Sequence, residues 1–128
     1  MIKSLLFVGL GSCCGGMARY LLSRLVQQFT ESTFPFGTMA VNVLGCFAIG
    51  VLSALFEQQH LMNTYLKLFL TVGFCGGFTT FSTFINENYM LVRDGNFASF
   101  LIYIGISVFL GYLLLFFGYW LVREVSGF

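Results

Sequence analysis

Charge is what this chain has least of. Lysine, arginine, aspartate and glutamate make up 9% of its 128 residues, against roughly 25% in a soluble domain. No stretch gathers enough basic side chains to neutralise a row of phosphates, which excludes nucleic acid as a partner. The only histidine, His60, stands in a short polar connection without a second ligand or a nucleophile beside it, and a solvated loop side chain is the simpler reading. Ser-His-Asp sets, paired carboxylates, metal spacing and phosphate-binding glycine loops are missing as well, so the chain does not read as an enzyme. Cys13, Cys14, Cys46 and Cys75 lie in apolar stretches without metal or disulfide-framework spacing and are read as small packing residues.

Apolar residues, by contrast, make up 58% of the chain. They fall into four runs, over 4–22, 36–56, 65–92 and 97–122. Each approaches or exceeds the roughly 20 residues that cross about 30 Å of hydrocarbon. The expected fold is an all-α integral membrane protein with four transmembrane helices in a single membrane domain, 1–128. The first run is read as a retained span: Arg19 and other polar interruptions break the apolar region that a signal peptide needs.

With four spans, Lys3, Lys67 and Arg123 share one side of the membrane, while Arg24 and Arg93 lie on the other and Arg19 near its boundary. Orientation follows lysine and arginine asymmetry, and here there is almost none. The chain is therefore expected to insert both ways up and to form an antiparallel, dual-topology homodimer whose two-fold axis lies in the membrane plane.

The stretch from Gly73 to Phe84 organises the rest. It puts three glycines, four hydroxyl side chains and four phenylalanines inside a run long enough to span a bilayer. Backbone polar groups in hydrocarbon must be paired within the protein. A glycine-weakened helix at that depth therefore points to a buried or ion-lined interruption, expected near the middle of the third span over 73–80. Beyond it, Phe81 and Phe84 stand at i, i+3 and Thr83 and Glu87 at i, i+4, an aromatic edge beside a polar one.

Other residues share helical faces. In the first span Gly11, Gly15 and Arg19 recur every four positions; the glycines suit a close-packed seam, and Arg19 suits either a snorkelling cation or an inward one at a vestibule. In the second, Thr38, Asn42, Gly45 and Ile49 form a stripe, with Asn42 either an interhelical hydrogen bond or a pore-lining donor. In the fourth, Tyr103, Ser107, Gly111 and Gly118 lie close to one face, and Tyr103 sits too far inside for an interfacial belt.

Asn42, Ser82, Thr83, Ser107 and Tyr103 are neutral donors, a set that compensates a small anion for lost water without trapping it. Phenyl edges are electropositive, so Phe81 and Phe84 could add two stations, although such a pair is also ordinary packing. Unwinding over 76–79 frees main-chain carbonyls, hard ligands for a cation such as sodium, and two antiparallel chains meeting there could close one site on the two-fold axis.

The sequence resembles the CrcB/Fluc fluoride-channel family over its whole length. The resemblance rests on Gly15-Gly16-Met17-Ala18-Arg19-Tyr20, on Gly37-Thr38 with Val41-Asn42 and Gly45, and above all on the run from Gly73 to Phe84. It implies a dual-topology homodimer in the bacterial inner membrane, with two passive fluoride-selective pores that export fluoride and a structural sodium ion at the dimer centre. It further implies that Phe81, Phe84 and Asn42 line the pore. Ser82, Thr83 and Glu87 then belong to a polar track, with Tyr103 and Ser107 facing it, Arg19 at the vestibule, and the Gly76 and Thr79 carbonyls on sodium. Ala40 departs from the expected hydroxyl, which bears on the length of the track. Two rivals remain: a small dual-topology, proton-coupled multidrug exporter, whose usual membrane-embedded acid is missing from span one, and a non-transporting assembly subunit held by glycine seams.

Overall fold

The computed structural model describes residues 1–31, 33–57 and 63–126; His60 lies outside them. Its elements are α1 (Ile2–Thr30), α2 (Phe36–Glu57), α3 (Thr64–Leu68), a π-helix (Phe69–Cys75), α4 (Gly76–Phe78), α5 (Phe81–Arg93) and α6 (Phe97–Ser126). They make four crossings that are long and apolar enough for a membrane, the third running from Thr64 to Arg93. Large apolar side chains cover the outside, Phe29, Leu101 and Phe116 among them. In water this surface would be an aggregation liability; in lipid it is the matched solvent.

The first helix runs eight residues beyond its expected end at Leu22. Residues 23–30 contain neither glycine nor proline, so nothing stops the helix until Glu31 turns left-handed at φ 49°. Polarity marks the exit from hydrocarbon rather than the end of the helix. Gln27 itself pins the connection: its Oε1 accepts from Gly37 N at 3.0 Å and its Nε2 donates to Phe34 O at 3.0 Å.

Two backbone-on-backbone seams hold the crossings together. Gly11 and Gly15 of α1 face Gly73 and Gly77 of the third crossing, so each surface carries glycines four residues apart. A Cβ on Gly77 would stand 2.7 Å from Ser12 O, and one on Gly73 would stand 2.9 Å from Gly11 Cα. Gly73 and Gly77 thus serve close approach. The second seam joins α2 to α6, where Gly50 meets the Leu115 backbone and Gly118 meets Phe47 O.

The interruption expected over 73–80 is narrower than that and does not break the axis. The backbone stays helical through Phe78, with wider π-type turns over 69–75. Only Thr79 (φ −92°, ψ 162°) and Thr80 (φ −151°, ψ 121°) are extended. The crossing as a whole bends by 16°. Glycine pairing with α1 holds the first half in line, which is why the weak helix formers do not unwind it.

Candidate functional site

The extended pair at Thr79 and Thr80 sits where α1 and α2 meet the third crossing, and both contribute. From α2, Asn42 Nδ2 donates to Thr80 O at 3.0 Å while its Oδ1 accepts from Thr80 N at 2.7 Å. From α1, half-buried Arg19 donates from Nε to Gly77 O at 3.1 Å. Thr79 folds back on its own helix, with both its N–H and its hydroxyl donating to Cys75 O, at 3.0 and 2.9 Å. The Thr80 hydroxyl then caps α5 by accepting from Thr83 N at 3.3 Å. Much of this short polar linkage is thereby paired within the chain, as hydrocarbon demands.

Beside this linkage runs a groove of about 400 Å³, lined by Asn42, Thr79, Thr80, Phe81, Phe84 and Ser107 among others. No lining residue carries a charge. Phe81 is 76% exposed and stands 6.5 Å, centroid to centroid, from Phe84. Phe84 in turn meets Tyr103 edge-on at 4.9 Å. The Ser107 hydroxyl is buried and has no partner among the described residues, an unsatisfied group of the kind that protein interiors seldom leave without a ligand or water.

One turn beyond Phe84 lies a second polar cluster. Tyr103, fully buried, donates from its hydroxyl to Glu87 Oε1 at 2.8 Å. Thr38 donates to Glu87 Oε2 at 2.9 Å, so each carboxylate oxygen has one donor.

The structure therefore brings Asn42, Phe81, Phe84, Ser107 and Thr79 to one groove and joins Glu87 to Tyr103 next to it. Asn42 does both things left open for it, bonding between helices and lining the groove. Ser82 and Thr83 do not line the groove; Ser82 is exposed on the chain's outer surface. Gly76 is exposed too, and a Cβ there would meet nothing nearer than Thr71 O at 3.9 Å. Arg19 lies on the α1 side, at the end of α4.

Three residues here were given no site role in the sequence reading. Thr38 shares the Asn42 stripe one turn earlier, which was the available signal for its place beside Glu87. Thr80 sits three residues before Thr83, the spacing of a helix N-cap. Asn88 is on the Phe81–Phe84 face; its Nδ2 donates to Phe84 O at 2.9 Å and its Oδ1 is buried without a partner.

Among known proteins, the family model described as "CrcB-like protein, Camphor Resistance (CrcB)" matches residues 6–119. A Phocaeicola vulgatus protein is 47% identical over 120 residues, covering 94% of this chain and 98% of its own. One from Flavobacterium psychrophilum is 36% identical over 97% of this chain and 100% of its own, and one from Chlorobium phaeobacteroides 45% identical over 94% and 93%. All three bear the name fluoride-specific ion channel FluC.

Proposed function

Given that the chain belongs to the CrcB family, we propose that it is a passive fluoride-selective channel that lets fluoride leave the cytoplasm through the bacterial inner membrane. It is a conduit and not an enzyme. The observation that carries the proposal is the uncharged groove, in which a pair of phenyl rings, an amide and an unpartnered hydroxyl share one wall. Fluoride holds its water strongly. A wall that accepts it must offer many weak positive contacts, and neutral donors and ring edges do so without creating a trap. Neither rival is favoured: relatives that match over nearly the whole chain are named as channels, not as exporters or assembly factors.

Two antiparallel copies make the working unit, each groove closed by the partner and giving two pores. Three features support this. The lysines and arginines are nearly balanced between the two ends. Phe81 points away from its own chain, so one chain leaves that wall half built. Gly76 is exposed, with no atom nearer than 3.9 Å to a Cβ there among the described residues, which leaves its face open to a partner.

A sodium ion at the centre of the pair fits the groups present. The Gly76 and Thr79 carbonyls receive no hydrogen bond among the described residues. Carbonyl oxygens are the hard ligands that such a cation selects, and hard cations collect about six. Two from each chain fall short singly and suffice better together. Gly76 and Thr79 hold the ion, which when bound supplies a positive charge between facing peptide dipoles; Arg19 and Asn42 fix the backbone on either side.

Fluoride efflux from reconstituted vesicles, with chloride as the control, tests the function. Rapid fluoride release without chloride release is expected, with Phe81→Ile close to silent though still dimeric. Equal rates for the two halides, or an active Phe81→Ile protein, defeat the proposal.

A further inference from the structure

Every carbonyl between Cys75 and Thr80 needs a partner, because an unpaired peptide group at membrane depth persists only where something else binds it. Cys75 O accepts from Thr79 twice, Gly77 O from Arg19, and Thr80 O from Asn42, while among the described residues no such bond reaches the Gly76, Phe78 or Thr79 carbonyl. The Gly76 carbonyl is the informative one. In a continuous helix its donor is the N–H four residues on, that of Thr80. Here that N–H is taken by Asn42 Oδ1, at 2.7 Å. One side chain thus holds both polar groups of Thr80, as a neighbouring strand would in a sheet, and keeps the residue extended.

The geometry points to a role for Asn42 in the backbone rather than only in the conduit: by withholding the Thr80 N–H from Gly76, it keeps the Gly76 carbonyl available to a hard monovalent cation, while the Thr80 hydroxyl holds the Thr83 N–H away from Thr79 O. Asn42 is then a positioning residue for the cation site as well as part of the groove wall, and one amide joins the two. Without it, the Thr80 N–H is free to swing back to Gly76 O, and the helix closes over its own ligands. Arg19 has the complementary place, since it removes Gly77 O from the set of free carbonyls. The inference rests on the cation site proposed above.

The distinguishing variants are Asn42→Ala, which removes both bonds to Thr80, and Asn42→Asp, which loses the donor but keeps an acceptor for the Thr80 N–H. Phe81→Ile is the control for damage to the groove. Each purified full-length protein is titrated with sodium chloride against N-methylglucamine chloride at constant ionic strength, and dimer dissociation and thermal unfolding are followed. Wild type and Phe81→Ile are expected to show the same saturable stabilisation by sodium. Asn42→Ala is expected to need about tenfold more sodium for an equal shift, and Asn42→Asp to respond at wild-type concentrations or lower. An unchanged sodium response in Asn42→Ala, with flux reduced, overturns the inference and leaves Asn42 as a groove residue alone. Should Asn42→Ala fail to fold, Asn42→Asp decides: a wild-type response supports the inference and a lost response overturns it. A wild type indifferent to sodium removes the cation site itself, and this inference with it, while leaving fluoride conduction to be judged by efflux.

Discussion

Replacing Gly77 with alanine tests whether the third crossing is held in place by direct contact of its backbone with α1. The new Cβ would lie 2.7 Å from Ser12 O and 3.1 Å from Gly16 N, where ordinary contact starts at 3.4 Å. Both atoms are backbone, so no side chain can step aside; the helices must part by about 0.7 Å, the shortfall of 2.7 against 3.4 Å. Overpacking of this kind costs about 1–3 kcal/mol. The same displacement stretches the Arg19–Gly77 bond, now 3.1 Å, toward the limit of hydrogen bonding. Loss of a charged donor adds about 1.5–3 kcal/mol, and alanine's better helix propensity returns up to about 1. A net destabilisation of about 1.5–6 kcal/mol is expected, read from reversible unfolding through the fluorescence of the single tryptophan, Trp120. Gly76→Ala is the matched comparison: with 3.9 Å of clearance in its own chain, it should leave monomer unfolding unchanged and act only on dimerisation. If Gly77→Ala unfolds with wild type, or the two variants are indistinguishable, the seam is not what holds this crossing.

Tyr103→Phe and Thr38→Val each strip one donor from Glu87 and should cost about 1–3 kcal/mol in unfolding experiments. Because they share that carboxylate, the double variant should depart from additivity by 0.5 kcal/mol or more, on the order of contacts within one network; strict additivity would falsify the shared cluster. Ser107→Ala removes a hydroxyl that has no partner among the described residues, so stability should hold while fluoride flux falls; a large loss of stability with normal flux contradicts its place in the groove. Gln27→Leu breaks both bonds to the α1–α2 connection and should destabilise the chain by about 1–3 kcal/mol with little effect on halide selectivity, which a flux ratio measures.

The four crossings were legible because lipid allows only one solution for a long apolar run, and bounds set by hydropathy fall within a few residues of the helices except at Thr30. That end was missed since polar residues leave hydrocarbon without leaving the helix. Phe81, Phe84, Asn42 and Ser107 were legible from their periodicity along separate helices, yet the spacing of one helix says nothing about which face meets another. Ser82 and Thr83 belong to the same motif as the phenyl pair but are not among the residues that line the groove of the single chain. The glycines of the motif were read as points of weakness, and only the structure shows Gly73 and Gly77 meeting α1. Asn42 was read as an interhelical bond or a pore-lining donor; that its bond accepts from the Thr80 backbone requires knowing where the chain leaves the helix.

The junction at Thr79 and Thr80 has an electrical meaning as well. It stands a helix C-terminal end and a helix N-terminal end back to back inside the bilayer, each carrying about half an elementary charge of opposite sign, which low permittivity leaves almost unscreened. Arg19 sits on the negative pole. The opposite pole opens beside Phe81 and owes nothing to any titratable group, so its pull on an approaching halide should be the same in acid and in alkaline surroundings.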